Sequence, residues 1–208
     1  MIDYSGKRNN GTAYSSTATS TSVLSTSTAM IGRAMSFDGV DDYILAANAI
    51  TNDVITYSAW IKTSIATGDM VIAEGSHSSY ANPLHGGITI SSGKPRMYAG
   101  YISSAYRYTE SPSSVADGFW HHIVGVSDNN GTYIYVDGQY KGTTSYKVSD
   151  ATVTNMGTAI GKNYRHSNDP TFGGSFFNGL IDEVKIWNYA RSGEQIQNDY
   201  IRNSKGLK

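Results

Sequence analysis

The chain has no cysteine, and only 4 of its 208 residues are proline. Without cysteine there is no disulfide framework, no thiol nucleophile and no cysteine-ligated metal. Charge is also scarce: 16 basic and 17 acidic side chains give a formal net charge of −1, and no basic cluster is longer than Lys7-Arg8. Nucleic acids and anionic membranes require a concentrated positive surface, so this composition argues against both as partners.

Long apolar segments are missing as well. No apolar run in the sequence approaches the roughly 18 residues that a membrane-spanning helix requires, so we expect no membrane insertion. The N-terminus does not resemble a signal peptide, which combines a basic start with an apolar stretch. We therefore expect the chain to be one module of a larger multidomain protein.

The residues that are abundant favour strands and turns. The sequence contains 16 tyrosines and 22 glycines, and tyrosine, serine, threonine and glycine prefer strands and turns to helices. Ile55, Tyr57, Ala59 and Ile61 alternate with other residues, a two-residue period typical of a strand with one buried face. Trp60 then lies on the opposite face, where we expect a loop to cover it.

The segment from Leu180 to Trp187 predicts the last strand, because its residues alternate in character. The alternation places four residues on one face: Leu180, Asp182, Val184 and Ile186. Ser192 and Gln195 form the capping-box pattern of a short helix over Ser192–Ile201. Residues 13–30, mostly serine, threonine and alanine, predict a loop or a thin outer strand. Residues 1–208 are expected to form a single all-β domain.

Ordered motifs run along nearly the whole chain. They are Asp3–Thr12 (DYSGKRNNGT), Ser36–Ile44 (SFDGVDDYI), Tyr57–Lys62 (YSAWIK), Phe119–Val126 (FWHHIVGV), Tyr133–Gly138 (YIYVDG) and Asn178–Asn188 (NGLIDEVKIWN). In this order and spacing the chain resembles the laminin-G-like, or concanavalin A-like, jelly-roll family, particularly its bacterial and extracellular members. The resemblance implies an antiparallel two-sheet jelly-roll β-sandwich with one short C-terminal helix. It also implies that Trp120 and Trp187, which stand inside these motifs, are core residues.

The resemblance also implies a structural calcium ion. Members of the family hold calcium near positions that match Asp3 and Asp182, and the turn around Asn10 can add carbonyl oxygens. Calcium requires several oxygen ligands from segments that bend around it. Asp41 and Asp42 form a second acidic cluster. The alternative interpretation is that these aspartates cap turns and accept backbone hydrogen bonds.

Aromatic residues in polar segments are the candidates for carbohydrate binding, because sugar rings present apolar faces that stack on aromatic rings. Three segments, expected to be loops, carry them: 77–85, 101–108 and 163–169. The candidate residues are Tyr80, His85, Tyr101, Tyr106, Tyr108, Tyr164 and His166. The alternative is that these tyrosines pack on the sheet and keep only their hydroxyl groups in water.

An enzyme is disfavoured. The sequence has only four glutamates, Glu74, Glu110, Glu183 and Glu194, and none shows the alternating carboxylate pattern of glucanases with this architecture. Arg96, Tyr98, His85 and Tyr101 resemble the residue types of jelly-roll polysaccharide lyases, but no lyase motif is present.

His121 and His122 are not expected to bind a metal, because neighbours on a strand face opposite ways. The resemblance implies that they form hydrogen bonds across the sheet.

Three functions remain open at this point. The leading one, implied by the resemblance, is a lectin-like, non-catalytic module that binds a polysaccharide or glycan in an extracellular or cell-surface protein. The second is a structural or cell-adhesion module that contacts protein and binds no glycan. The third is a polysaccharide lyase or hydrolase. Fold alone does not decide among them.

Overall fold

The computed structural model describes residue 2 and residues 5–15, 26–46, 52–66, 69–76, 84–102, 105–148, 156–162 and 176–205. Two antiparallel sheets of seven strands each contain the strands of this part of the chain. Sheet A has the order β1 (Gly11–Tyr14), β4 (Tyr43–Ala46), β13 (Met156–Ile160), β6 (Asp69–Ser76), β7 (Leu84–Ser91), β8 (Lys94–Ile102), β9 (Ala105–Glu110). Sheet B has the order β12 (Gln139–Thr144), β11 (Thr132–Val136), β10 (Trp120–Ser127), β5 (Ile55–Lys62), β14 (Asn178–Trp187), β3 (Arg33–Asp38), β2 (Thr26–Thr28).

The strand order is that of a jelly roll, as the sequence predicts. Strands β7, β8 and β9 follow one another as hairpins, and so do β10, β11 and β12. The other neighbours are distant in sequence, such as β5 between β10 and β14. The strands β1 and β2, within the polar stretch near the N-terminus, are edge strands of sheets A and B, which suits the thin outer strand expected there.

The main core lies between the two sheets. Ile55, Tyr57, Ala59 and Ile61, the predicted inner row of β5, are each 0% exposed. They pack against inner-face residues of sheet A in one cluster, which includes Ile44, Ile72, Ile88, Ile90 and Met97. The two-residue period of β5 therefore predicts its inner face correctly.

The outer face of sheet B is covered by the helix α1 (Gly193–Ser204). Ser192 caps it, and the predicted capping box with Gln195 is present. Ile196 of the helix packs with Val124 and Val126 of β10 in a second apolar cluster. No helix in the described part of the chain is long and apolar enough to cross a membrane.

Trp60 lies beneath this helix and not beneath a loop, which corrects the expectation from the sequence. It is 1% exposed and stacks on His122 of β10, with ring centroids 5.1 Å apart. Tyr200 of α1 stacks on Trp60 from the helix side at 5.7 Å. Three aromatic rings, one from each of β5, β10 and α1, thus form a second core on this face.

The regular alternation predicted for β14 is wrong. Asp182 pairs with Trp60, but Lys185 pairs with Ser58, so β14 has one residue more than β5 between these two pairs. Glu183 accommodates this β-bulge with a φ of +49°. The bulge shifts the side-chain phase, and Val184 and Ile186 therefore pack against the same core as Ile181.

Trp120 and Trp187 are not core residues, which corrects a second expectation. Both are only partly buried. Their register partners, Lys62 and Thr56, lie on the face of β5 that carries Trp60, so both indoles are on the outer face of sheet B. The Arg191 guanidinium lies 4.4 Å from the Trp187 ring and covers part of it.

The burial of the tryptophans predicts how much each contributes to stability. Replacing Trp60 by alanine removes a fully buried ring and should lower the free energy of unfolding by about 3–5 kcal/mol. Trp120→Ala should cost less, because that ring is only partly buried. Chemical denaturation of both variants measures the difference, and equal losses would contradict this assignment of the second core.

His121 and His122 have opposite electrostatic environments. Burial lowers the pKa of His122 to about 4, and the nearby charges of Lys185 and Arg191 add to the effect while Asp137 partly opposes it. The Nε2 atom of His122 lies 2.8 Å from Ser58 Oγ on the neighbouring strand. The hydrogen bond from His121 Nδ1 to Asp137 Oδ2, 2.8 Å long, raises the pKa of His121.

We predict a loss of stability in mild acid that depends on His122. Between its ordinary pKa of 6.5 and the folded value of about 4, only the unfolded chain binds the proton. The free energy of unfolding should therefore fall by about 3 kcal/mol between pH 7 and pH 4 because of this group. Chemical denaturation of the parent and of His122→Gln across this pH range gives two free energies of unfolding at each pH. The change of their difference with pH is the contribution of His122.

His121 provides the control, because its shift has the opposite sign. Its raised pKa stabilises the fold below the unfolded value of 6.5, and this stabilisation is lost as the pH rises through the folded pKa. His121→Gln should therefore lower the free energy of unfolding below about pH 6.5. The loss of stability in acid that is due to His122 should stay unchanged. A His122→Gln variant with the parent's full acid dependence would contradict the prediction.

Candidate functional site

The outer face of sheet A is defined by the alternation along its strands. Ile44, Ile72, Ile88 and Met97 belong to the core, so their neighbours in sequence occupy register positions of the outer face. The pairing joins one such position from each of six adjacent strands into a row: Leu45, Ala159, Ala73, Gly87, Tyr98 and Tyr108. The row has small residues at its centre and two tyrosines at the β8–β9 end.

Two tyrosines and an ion pair form a compact group at that end. Tyr98 and Tyr108 are register partners, and their ring centroids lie 5.6 Å apart. The Arg96 guanidinium carbon lies 4.2 Å from the centroid of the Tyr108 ring. Arg96 Nε donates a hydrogen bond of 2.6 Å to Glu110 Oε2. The ring and the carboxylate together hold the guanidinium in one orientation, which leaves further N–H donors for other partners.

The charged side chains of this group reach solvent and include two cations and one carboxylate. Lys94 Nζ lies 3.8 Å from Glu110 Oε1, so the carboxylate faces two cations. Burial disfavours the charged form of Arg96, but the hydrogen bond to Glu110 and the nearby tyrosines more than offset this, and its pKa is raised. The side chains of Arg96 and Glu110 are 20% and 29% exposed, so a ligand on this face can reach both.

Four of the residues predicted to bind carbohydrate are on β7, β8 and β9. His85 is in β7 and Tyr101 in β8, while Tyr106 and Tyr108 are in β9. Tyr101 pairs with Tyr106, which continues the ladder from Tyr98 and Tyr108. The expectation that these residues occupy loops is wrong, because the Tyr-x-Tyr spacing in 106–108 is the period of a strand, and tyrosine suits its pleated surface.

The other three predicted carbohydrate-binding residues, Tyr80, Tyr164 and His166, lie outside the described residues. So does Asp3 of the predicted calcium site. Asn10 is described, and it is exposed just before β1.

Asp182, the third residue predicted for calcium, is 7% exposed. Its Oδ2 accepts a hydrogen bond of 3.0 Å from the Ile31 N–H, and its Oδ1 accepts one of 2.8 Å from the Glu183 N–H. Burial raises the pKa of Asp182, and these hydrogen bonds partly oppose the shift. The carboxylate joins the segment after β2 to β14, which is the structural role left open as the alternative.

A separate group of three carboxylates lies in the turn between β3 and β4. One carboxylate oxygen from each of Asp38, Asp41 and Asp42 lies within 4.8 Å of the other two. Asp38 Oδ1 accepts hydrogen bonds from the Val40 and Asp41 N–H groups at 2.8 and 3.2 Å, which shapes the turn. Burial and the charges of Asp38 and Asp41 raise the pKa of Asp42.

The fold and this motif order agree with a known family. A family model, Laminin_G_3, described as the concanavalin A-like lectin/glucanases superfamily, matches residues 37–197. The chain belongs to this superfamily. The matched residues contain most strands of both sheets, including all of β7, β8 and β9. Of these, β8 and β9 carry Tyr98, Tyr108, Arg96 and Glu110, called the tyrosine group below. No curated protein sequence gives a significant match.

Solved structures share the fold at low sequence identity. Domain 4 of AbnA, a GH43 extracellular arabinanase from Geobacillus stearothermophilus solved in complex with arabinotriose, is 21% identical, with a TM-score of 0.67 over 90% of this chain and 86% of that domain. The binding domain of botulinum neurotoxin DC in complex with SialylT is 12% identical, with a TM-score of 0.68 over 97% of this chain.

This chain spans 48% of the botulinum binding domain. A SAP-like pentraxin from Limulus polyphemus is 15% identical, with a TM-score of 0.57 over 82% of both chains. At these identities the likeness establishes the fold alone.

Sequence reasoning underrates two residues of the tyrosine group. Arg96 and Tyr98 enter the sequence analysis only as types that a lyase would use, although they contact Tyr108 directly. The signal that identifies them is the pairing of consecutive strands, with Arg96 opposite Glu110 and Tyr98 opposite Tyr108. A β-bulge between Tyr98 and Tyr101 hides this register in the sequence.

Proposed function

We propose that the chain is a non-catalytic module that binds a glycan on the outer face of sheet A, within an extracellular or cell-surface protein. The observation that carries the proposal is the group formed by Tyr98, Tyr108 and the Arg96–Glu110 pair. On sheet B, α1 and the stacked rings beneath it occupy part of the outer face, around Trp60 and Val124.

The group has both kinds of contact that a sugar requires. The tyrosine rings present apolar surface to the C–H faces of a sugar ring, and their hydroxyl groups remain polar. Arg96 and Glu110 add donors and acceptors for sugar hydroxyls, and their mutual hydrogen bond fixes their orientation before a ligand arrives. The sugar contacts therefore belong to the β8–β9 end of the row, because Gly87 and Ala159 at its centre are buried.

The comparisons support a binding module in general terms. One structural neighbour was solved with arabinotriose and another, of which this chain spans 48%, with SialylT, so proteins that contain this sandwich bind carbohydrate. The superfamily also contains glucanases by its description.

A non-catalytic role is favoured by the ion pairs of two glutamates. Glu110 pairs with Arg96 and Lys94, and Glu183 pairs with Lys185, whose Nζ lies 2.6 Å from Glu183 Oε2. Both carboxylates are therefore already engaged by cations of the chain itself. An assay for reducing sugars and unsaturated products tests this part of the proposal, and turnover by the purified chain would refute it.

We predict that Tyr98→Ala and Tyr108→Ala weaken glycan binding by at least about tenfold, equivalent to ~1.4 kcal/mol. Parent affinity should be weak, roughly millimolar to micromolar, because a few stacking contacts leave little surplus after the ligand is ordered. Affinity electrophoresis or calorimetry on a broad polysaccharide panel provides the measurement. Tyr108→Phe, which keeps the ring, should retain most of the binding.

Tyr140→Ala is the matched control, because Tyr140 is a 54% exposed tyrosine on β12 of the other sheet. It should bind as the parent does. If the Tyr98 and Tyr108 variants keep both the melting temperature and the binding of the parent, the site lies elsewhere. If the parent binds nothing on the panel, the structural or adhesive module becomes the better assignment.

We also propose that calcium stabilises the fold, as the sequence leads us to expect. Two sets of residues are candidate ligands: Asp3, Asn10 and Asp182, as predicted from the sequence, and Asp38, Asp41 and Asp42 in the turn between β3 and β4. Both offer the hard oxygen donors that calcium prefers. In the first, the oxygens of Asp182 already accept backbone hydrogen bonds but keep a second lone pair each. In the second, a cation would relieve repulsion among three carboxylates.

Thermal unfolding with calcium or with EDTA tests this proposal. An ion bound only to the folded state adds about 2.7 kcal/mol at a hundredfold excess over its Kd, which should raise the melting temperature by several degrees. Asp182→Asn should remove the calcium-induced rise if the first set binds it, and Asp41→Asn if the second does. The proposal is refuted if calcium does not change the melting temperature of the parent after elemental analysis has verified that the parent is free of metal.

A further inference from the structure

A second aromatic surface lies at the opposite edge of sheet A. Tyr14 on the edge strand β1 and Tyr43 on β4 are register partners. Their rings are stacked nearly parallel, with centroids 4.9 Å apart and an interplanar angle of 10°. Ala13 and Ile44, their neighbours in sequence, pack into the core, so both tyrosines belong to the outer face that also carries Tyr98 and Tyr108.

The inner ring of this stack is held from several sides. Lys162 Nζ lies 3.5 Å from the centroid of the Tyr43 ring, and Phe176 packs against the same ring at 6.2 Å. A parallel ring leaves no room for an ammonium group on its own side, so Lys162 occupies the face of Tyr43 that Tyr14 does not cover. Burial raises the pKa of Tyr43 and lowers that of Lys162, consistent with both being tightly packed.

The outer ring of the stack is presented to solvent. Tyr14 is 41% exposed, and Tyr43 covers only one of its two faces. Among the described residues the layers run in the order Lys162, Tyr43 and Tyr14. A ring that is fixed from behind and open in front loses little side-chain entropy when a flat apolar surface stacks on it.

We propose that the open face of Tyr14 is a second saccharide subsite, which takes a neutral sugar ring of the same glycan chain that Tyr98 and Tyr108 bind. The inference rests on the proposed function, and it adds a location and a chemical class of ligand. It also makes the ligand an extended chain, because the two aromatic groups stand at opposite edges of one sheet.

The charges around Tyr14 select against acidic sugars. Ser15, the next residue, donates from its Oγ to Asp41 Oδ1 at 3.3 Å, and Asp38 and Asp42 complete the carboxylate group beside it. The cation of Lys162 lies behind Tyr43 and cannot compensate at the open face. A uronate or sulfated sugar stacked on Tyr14 would therefore approach three negative charges, whereas a neutral ring would not.

The separation of the two subsites sets the length of chain required. Six strand-to-strand steps of about 4.8 Å separate the edge strands β1 and β9, so the path across the sheet is at most about 29 Å. A short oligosaccharide can occupy one subsite at a time. A longer one can occupy both, and its second contact then benefits from a high effective concentration.

The test is a length series measured by calorimetry in EDTA. Probes are neutral oligosaccharides from arabinan, xylan and cellulose, each from the dimer to long polymer, with oligogalacturonates as the acidic series. For the neutral series that the parent binds, affinity should rise with length until both subsites are spanned. Tyr14→Ala should lower affinity for the long members by about tenfold and leave the short ones unchanged, while Tyr14→Phe should match the parent.

The controls separate the two proposals. Tyr108→Ala should lose affinity at every length, and Tyr140→Ala at none. If Tyr14→Ala, with the parent's melting temperature, binds long neutral chains as tightly as the parent while Tyr108→Ala does not, the second subsite is wrong and the proposed function stands. If the parent binds oligogalacturonates more tightly than neutral chains, the proposal that the ligand is neutral is wrong, whatever Tyr14→Ala does to that binding. A parent that binds no series refutes both proposals.

Discussion

The burial of strand β5 on both of its faces is the constraint on which the rest of the fold depends. One face carries Tyr57, Ala59 and Ile61 into the core between the sheets. The other carries Thr56, Ser58 and Trp60, which are also buried. The large Trp60 ring on this face has to be covered, and the stacking of Tyr200 on Trp60 shows that α1 covers it. The short C-terminal helix is therefore a requirement of β5.

The covering of sheet B determines which surface can serve a ligand. With α1 docked on part of sheet B, partly exposed tyrosines stand instead at the two ends of the outer face of sheet A. The ion pair of Arg96 with Glu110 orders a side chain that would otherwise move freely in water. Partly exposed pairs of this kind contribute little stability, so the main effect of the contact is to fix the orientation of both side chains.

The sequence predicts most of the fold and less of the candidate site, and the reason is physical. The alternation in β5 and the cap at Ser192 depend on nearby residues, so local patterns reveal them. The bulge at Glu183 carries no glycine to announce its positive φ. The contact of Arg96 with Tyr108 depends on how β8 pairs with β9. The burial of Trp60 depends on Tyr200 of a helix that lies far along the chain. Such relations exist only after the strands have met.

The bulge in β14 also limits how this strand can change in evolution. Because Glu183 is the extra residue, Ile181 and Ile186 share the core although they stand five positions apart. Deletion of one residue here would turn the side chains of half the strand from the inner to the outer face. An insertion or deletion in this segment should therefore destabilise the fold more than a substitution at an exposed position of the same strand.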